Sequence, residues 1–145
     1  MNRLLVLLVG VLTIAYCSIA FAQTTSDSGV SGRWKGTRST TGRIGVTDYK
    51  VQSITFDLTE SDGGLSGSSR CFAAKKANSD CPSPIGKLAG GSVQGSRLKM
   101  TVQSLPKQVE CTYTGTIKES KIDGTYTCYA GGSLSSNGIW NIHRE

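Results

Sequence analysis

The chain carries five cysteines and a single histidine, His143, among its 145 residues. Four of the cysteines lie in the body of the chain, and their spacing contains no C-x-x-C pair of the kind that binds zinc, so no metal site is predicted. An even number of cysteines is typical of disulfide bonds in an exported protein. Three pairings are open to these four residues, which are Cys71, Cys81, Cys111 and Cys128.

No group of side chains has the pattern of an enzyme active site. General acid–base or nucleophilic catalysis needs a base beside a nucleophile or a second carboxylate. Alternation along the predicted strands places His143, Asp57 and Asp123 on the outer surface, and the many serines have no activating partner. We therefore expect no enzymatic activity and no cofactor.

The first 22 residues have the composition of a signal peptide. Arg3 precedes an apolar run from Leu4 to Ala15, and Ala20-Phe21-Ala22 supplies a small-x-small cleavage site. We expect cleavage after Ala22 and release into the periplasm or the extracellular space. The mature chain is then expected to have no segment inserted in the membrane.

Two alternatives to cleavage are disfavoured by the same segment. A retained anchor needs about 20 apolar residues to span a bilayer, and this run is shorter. A lipoprotein would be modified at Cys17, but Tyr16 stands where a small residue is expected.

Cleavage would leave 123 residues, which suits one domain over 30–145 after a flexible lead at 23–29. Loss of Arg3 leaves 15 basic and 10 acidic side chains, a net charge of +5. This moderate charge favours anionic partners. It is too small to indicate nucleic-acid binding, and export removes the usual nucleic-acid targets, so no such binding is predicted.

Alternation of apolar and polar residues recurs along the mature sequence, and no window has a helical period. Eight short antiparallel strands predict an all-β, up-and-down barrel, which leaves no sheet edge exposed. A two-sheet sandwich is the alternative. The strands are predicted at 30–38, 49–60, 64–72, 85–93, 97–104, 108–118, 121–130 and 138–144.

One hairpin can be aligned residue by residue around a two-residue turn at Glu119 and Ser120. Directly opposed residues on antiparallel strands lie about 5.5 Å apart or less at Cα, which is close enough for a disulfide. The alignment favours a Cys111–Cys128 bond and leaves Cys71 with Cys81. The opposed pairs are Lys118 with Lys121, Ile117 with Ile122, Gly115 with Gly124, Tyr113 with Tyr126, and Cys111 with Cys128.

Connection lengths predict that the two ends of the barrel differ. The connections near 61–64, 94–96 and 119–120 are tight and fall at one end. Those at the other end are mostly longer, which predicts a closed base and a looped rim; they are 39–48, 73–84, 105–107 and 131–137.

The first predicted strand contains Gly32-Arg33-Trp34, a G-x-W sequence, and the last ends in Trp140-Asn141-Ile142-His143-Arg144. This resembles the calycin pattern of lipocalins, avidins and related small barrels. The resemblance implies that Arg144 packs on Trp34 and closes the base through a cation–π contact. The alternative is that Trp34 is simply a core residue and Arg144 a frayed terminal charge.

Within the calycins the chain is more similar to avidin in size and hairpin style. Avidins hold biotin with several tryptophans and with polar residues just after the G-x-W. This chain has two tryptophans, and Lys35-Gly36-Thr37-Arg38 follows the motif, so biotin binding is not implied.

Alternation divides the inward face into an apolar lower half and a mixed upper half. Aromatic walls with a few hydroxyls and a cation are typical of a small-ligand site. We expect a small, partly apolar ligand, with an anionic group as one option. The alternative is that the same aromatics fill the barrel, since eight strands enclose little more than their own side chains. The predicted site residues are Arg38, Ser69, Ser104, Tyr113, Tyr126 and Trp140.

A second function class is an interaction or inhibitor module that acts on an exported protein or an anionic envelope polymer. Its candidate surface is the loop from Phe72 to Pro84, which the Cys71–Cys81 bond would restrain and which carries Lys75 and Lys76. A constrained loop loses less entropy on binding. The plainer interpretation is that the bond only restrains a long surface connection.

Overall fold

The computed structural model describes residues 28–42, 51–73, 86–104 and 108–145. The predicted signal peptide at 1–22 and all but the last two residues of the lead at 23–29 lie outside these ranges. The described part of the chain contains no helix long and apolar enough to cross a membrane.

Eight antiparallel strands follow one another around a closed barrel, and the last strand pairs with the first. This confirms the predicted up-and-down barrel and excludes the sandwich. The strands are β1 (Gly32–Gly42), β2 (Val51–Ser61), β3 (Gly64–Ala73), β4 (Gly86–Gln94), β5 (Arg97–Ser104), β6 (Val109–Lys118), β7 (Lys121–Ala130) and β8 (Ser133–Arg144).

The predicted start of the last strand, at 138, is wrong. Strand β8 begins at Ser133, so the connection predicted at 131–137 is a two-residue turn. Gly131 and Gly132 have φ of 57° and 82°, and two successive positive φ values make the turn that best matches the twist of a hairpin. The rim therefore has at least one tight connection. The other three rim connections lie mostly or wholly outside the described residues.

The β6–β7 hairpin has the predicted register. From Lys118 and Lys121 to Cys111 and Cys128 like residues face each other at every position except one, where Thr116 faces Asp123. The two cysteines are bonded, with their Cα atoms 4.0 Å apart. The predicted Cys111–Cys128 disulfide is confirmed, and it joins two strands that are already neighbours.

At the base of the barrel Trp34 and Arg144 are in contact, as the calycin resemblance implies. The Trp34 side chain is wholly buried, and its Nε1 donates a 2.8 Å hydrogen bond to the Val30 carbonyl. The Arg144 Cζ lies 5.0 Å from the centre of the indole. The backbone amide of Arg144 also donates to the Ser120 carbonyl at 2.9 Å, so the end of β8 is held against the β6–β7 turn.

Ion pairs on the outer surface link the first, second and last strands next to this base. Arg33 Nε contacts Asp57 at 2.9 Å, and Lys35 Nζ contacts Glu145 at 2.8 Å. The hydrogen bond from Arg33 lowers the pKa of the Asp57 carboxyl, and the one from Lys35 lowers the pKa of Glu145. All four side chains are partly exposed, so these pairs contribute little to stability.

The lower half of the lumen is an ordinary apolar core, as alternation predicts. Its members come from strands that each send every second side chain inward. Ile117 is only partly buried, whereas the others are buried: Ile54, Phe56, Leu58, Leu98, Met100, Val102 and Ile122.

A double-mutant cycle tests the base. Trp34→Ala removes a buried indole and should lower the free energy of unfolding by about 3 to 5 kcal/mol. Arg144→Ala should lower it by about 1 kcal/mol, because it removes a cation–π contact. Denaturant titrations of the two single variants and the double variant should show non-additive losses. Strictly additive losses would contradict the contact.

Peptide mapping of the unreduced protein tests the second bond. Cys71 is described, but Cys81 lies outside the described residues, so the Cys71–Cys81 pairing stays a prediction. We expect one fragment joining Cys71 to Cys81 beside the fragment joining Cys111 to Cys128. A fragment joining Cys71 to any other cysteine would refute it.

Candidate functional site

The Arg38 guanidinium lies inside the barrel and is wholly shielded from solvent. Strand β1 places Arg38 between Gln52 of β2 and Trp140 of β8 in the strand register. Its Nε donates a hydrogen bond to Gln52 Oε1, and its Nη1 donates one of 2.9 Å to the Tyr113 hydroxyl. A buried charge is costly unless it is well bonded, so these contacts hold a group that a purely structural core would avoid.

The same guanidinium lies between an aromatic ring and the disulfide. Its Cζ is 4.7 Å from the centre of the Tyr126 ring, a cation–π distance. Its Nη1 is 3.6 Å from Cys128 Sγ and 3.9 Å from Cys111 Sγ. The hairpin register that aligns the two tyrosines and the two cysteines therefore also builds the surroundings of Arg38.

The aromatic side chains below Arg38 form one packed cluster. The Tyr113 ring centre lies 5.3 Å from both Phe56 and Trp140, in edge-to-face geometry. The Tyr126 ring is stacked on Tyr113 at 5.7 Å, and the Phe56 ring is 5.8 Å from Trp140. A ligand could not enter between these rings without displacing one of them. The cluster therefore lies beneath Arg38 as one layer and does not form the two walls of a cleft. We call it the aromatic floor; its members are Phe56, Tyr113, Tyr126 and Trp140.

The hydroxyls of Tyr113 and Tyr126 have different hydrogen-bond partners. Burial raises the pKa of Tyr113, an effect that the Arg38 charge partly opposes, so the phenol keeps its proton at neutral pH. Its oxygen accepts from Arg38, which leaves its O–H able to donate. The Tyr126 hydroxyl is 2.9 Å from the hydroxyl of Thr40.

Two further hydroxyls are buried, and neither has a hydrogen-bond partner in the structure as described. Ser104 Oγ lies at the end of β5 and Ser136 Oγ near the start of β8, and the two residues are 1% and 0% exposed. Leaving a buried hydroxyl without a partner costs about 1 to 3 kcal/mol. Such groups in a folded protein require an explanation.

All six predicted site residues lie inside the barrel, with Ser69 and Ser104 on β3 and β5. Arg38 contacts both Tyr113 and Tyr126, and Trp140 joins this group through Tyr113. Burial is thus established for all six residues, and mutual contact for Arg38 and the three aromatic residues but not for Ser69 or Ser104. Their role as ligand contacts stays a prediction.

Sequence reasoning missed three polar residues of the upper lumen. Gln52 and Thr40 alternate with the inward residues Ile54 and Arg38, so the period-two pattern could have identified both. Ser136 was missed because it was assigned to a loop, although it lies directly opposite Cys128.

Gly115 of the hairpin makes room for the Trp140 indole. A Cβ on Gly115 would lie 3.0 Å from Trp140 Cζ2 and 2.9 Å from Ile122 Cγ2. Trp140 is opposite Gly124 on the neighbouring strand, and its Nε1 donates a 3.0 Å hydrogen bond to the Thr114 carbonyl. The position of the indole therefore depends on the absence of a side chain at Gly115.

The outer wall of the barrel carries a separate open groove of about 490 Å³ across β4 to β7. Arg97, Lys99 and Asp123 contribute its charged side chains, and threonines contribute much of the rest. His143 and Asp57 are also on the outer surface, as predicted. Within the described ranges, no three His, Cys, Asp or Glu side chains are grouped as metal ligands would be.

The loop proposed as an interaction surface, 72–84, lies outside the described residues except for its first two. Phe72 is 54% exposed at the end of β3. The interaction role of this loop stays a prediction.

Comparison with known proteins gives structural matches only, since no family model and no curated sequence matches the chain. The solved bradavidin2–biotin complex superposes with a TM-score of 0.55 and 19% identity, over 79% of this chain and 95% of that one. Apo bradavidin2 superposes with a TM-score of 0.50 and 14% identity, over 74% of this chain and 93% of that one. The barrel is avidin-like. This confirms the resemblance expected from the sequence, and at these identities the likeness concerns the fold.

Substitution of Gly115 tests the position of the floor. Gly115→Ala should crowd Trp140 and Ile122 and lower the free energy of unfolding by about 1 to 3 kcal/mol, with a change in tryptophan emission. Thr116→Ala, on the outward side of the same strand, is the control and should change neither. Unchanged stability and emission in Gly115→Ala would show that the indole does not lie over this glycine.

Proposed function

We propose that this protein is an exported binding protein that holds a small, partly apolar ligand in the upper half of its barrel. Arg38 is the charged contact of that site. The observation that carries the proposal is a wholly buried guanidinium in the lumen. It lies in the same half of the barrel as the buried hydroxyls of Ser104 and Ser136, which have no hydrogen-bond partner within the described ranges.

The contrast between the two halves of the lumen supports a ligand site. Apart from the Trp34 indole, which donates to the Val30 carbonyl, the lower half is filled with apolar side chains that need no hydrogen bonds. The upper half buries polar groups at a cost in stability, and a site for a bound molecule is a reason to keep them. They are Arg38, Gln52, Ser69, Ser104, Tyr113, Tyr126 and Ser136.

The aromatic cluster supplies the apolar part of the proposed site. Its uppermost rings, Tyr113 and Tyr126, are those that contact Arg38. A ligand resting on these rings would bury apolar area against them while its polar end met the guanidinium. Trp140 is proposed to support the aromatic floor from below, and its fluorescence would respond to changes in that floor.

The avidin-like fold is consistent with this role. Bradavidin2 has been solved with biotin, so a barrel of this architecture can accommodate a small molecule. Biotin itself is not proposed here. The residues after the G-x-W differ from those of the avidins, and the upper lumen of this chain is organised around a buried arginine.

Export is part of the proposal. It is supported by the signal-peptide composition of residues 1–22 and by the Cys111–Cys128 bond, because disulfides form mainly in oxidising compartments.

Native mass spectrometry of protein purified from its own compartment tests the proposal. We expect a reproducible mass excess that is lost on denaturation and that is absent from Arg38→Gln. Arg33→Gln is the matched control, since it removes the same charge from the exposed face of the same strand. It should keep the mass excess.

Arg38→Lys distinguishes a loss of ligand binding caused by the missing contact from one caused by misfolding. It keeps the charge but not the planar fork of donors, and it should fold and bind with reduced affinity. A folded Arg38→Gln variant that retains the ligand would contradict the proposed contact. Wild-type protein that carries no small molecule but captures an exported protein would favour the 72–84 loop instead.

A further inference from the structure

We infer that the open groove on the outer wall, across β4 to β7, binds an acidic polysaccharide, a chain of sugar units that carry carboxylates. We call this surface the outer groove. It lies outside the lumen, so a polymer bound there would leave the proposed small-molecule site free.

The cations of the outer wall differ in their partners from one side of the barrel to the other. On β1, Arg33 contacts the carboxylate of Asp57, and Lys35 contacts that of Glu145. On β5 to β7, the exposed cations form no ion pair within the described ranges. Cations without a carboxylate partner are thus grouped along three neighbouring strands. They are Arg97, Lys99, Lys118 and Lys121.

Two of these cations directly oppose each other. Lys118 of β6 faces Lys121 of β7, two residues beyond Thr116 of the groove lining. Like charges directly opposite on paired strands are destabilising. The carboxylates closest to them in sequence, of Glu119 and Asp123, pair with neither lysine in the described part of the chain. A bound polyanion would offset this repulsion.

The outer groove has cations along one side, hydroxyls across its floor and a carboxylate on the other side. Each row of the strand register begins at a cation of β5 and crosses β6 to β7. The hydroxyls of Thr114 and Thr125 are 3.1 Å apart, so they hold each other in the floor. The two rows are Arg97, Thr116 and Asp123, and Lys99, Thr114 and Thr125.

The cationic side of the outer groove is held in place by the backbone. The Ile117 amide of β6 donates a 2.7 Å hydrogen bond to the carbonyl of Ser96, the residue before Arg97. This bond ties the β4–β5 turn to the neighbouring strand. A preformed site loses less entropy on binding than one that must be ordered.

The shape of the outer groove disfavours other anionic polymers. Every strand is paired with its neighbours in the closed barrel, so an extended peptide finds no free strand edge. The described lining has no aromatic side chain on which a nucleotide base could stack. The threonines lie at the floor of a concave surface, which a flat membrane does not reach.

A sugar chain with carboxylates complements this lining. Its carboxylates would accept from Arg97 and Lys99, because bonds between charged groups are stronger than neutral ones. Its hydroxyls would exchange hydrogen bonds with the threonines and donate to Asp123, which only accepts when ionised. The one carboxylate of the lining therefore has a role in binding an anionic chain that is rich in hydroxyls.

Matched polymers test the recognised group. The mature protein is titrated at low salt with polygalacturonate, alginate and hyaluronate, each beside its uncharged methyl ester. At least one acid should bind about tenfold more tightly than its own ester, since each exposed charge contact contributes modestly. Its affinity should fall between about 0.05 M and about 0.5 M salt, because exposed charges are screened. Esters that bind as tightly as their acids, or failure of all three acids, would overturn the inference.

Charge-matched variants test the position of the site. Arg97→Gln with Lys99→Gln should weaken binding of the best polymer about tenfold. Arg33→Gln with Lys35→Gln is the control, since it removes the same two charges from the exposed face of β1, and it should weaken binding less than about twofold. Equal losses in the two folded double variants would show that only net charge matters, and would overturn the site.

A lysine variant separates binding from folding. Lys118→Gln removes the repulsion from Lys121, so the unliganded protein should be as stable as the wild type or more so. The affinity for the polymer should nevertheless fall about two- to threefold. A variant that loses stability and keeps full affinity would contradict the role given to the facing lysines.

Other polyanions supply the remaining outcomes. Phosphatidylglycerol vesicles, polyglutamate and a random DNA duplex, in the same buffer, should each bind more weakly than the best uronate polymer. Any of them that binds as tightly would overturn the commitment to a polysaccharide. Arg97→Gln with Lys99→Gln should also keep the native mass excess expected for the lumen, so failure of the outer groove and failure of the proposed function are seen separately.

Discussion

The buried guanidinium of Arg38 is the group around which the upper half of the barrel is organised. It joins β1 to Gln52 of β2, to Tyr113 of β6 and to the ring of Tyr126 on β7. The cost of removing this charge from water is met by hydrogen bonds and a π face rather than by apolar packing. The positions of the tyrosines, and hence of the rings stacked below them, follow from that requirement.

The arginine at the opposite end of the barrel is in a different environment. There Trp34 and Arg144 form their contact at the junction of the first and last strands, where an arginine at the edge of the fold keeps access to water. One arginine therefore closes the barrel at low cost, and the other is held inside it at high cost. This asymmetry allows the base to supply stability while the upper half retains polar groups that a uniform core would exclude.

The sequence predicted the barrel well because its pattern is local. Alternation identified the strands, and like residues across one hairpin identified its register and its disulfide. The start of β8 was missed because Leu134-Ser135-Ser136 lacks clear alternation, although Gly131-Gly132 is a strong turn signal. The contact of Arg38 with the disulfide could not be predicted, because it depends on side-chain torsions that bring together residues 73 and 90 positions apart.

The position of the disulfide links assembly of the fold to assembly of the site. A covalent bond between strands that are already paired adds little to the path of the chain, but it fixes two sulfur atoms against the guanidinium. Reduced thiols would be free to rotate away from Arg38 and would no longer present it with a rigid surface. The bond therefore constrains the interior more than the path of the chain, because it holds beside Arg38 two side chains whose rotation strand pairing alone would not restrict.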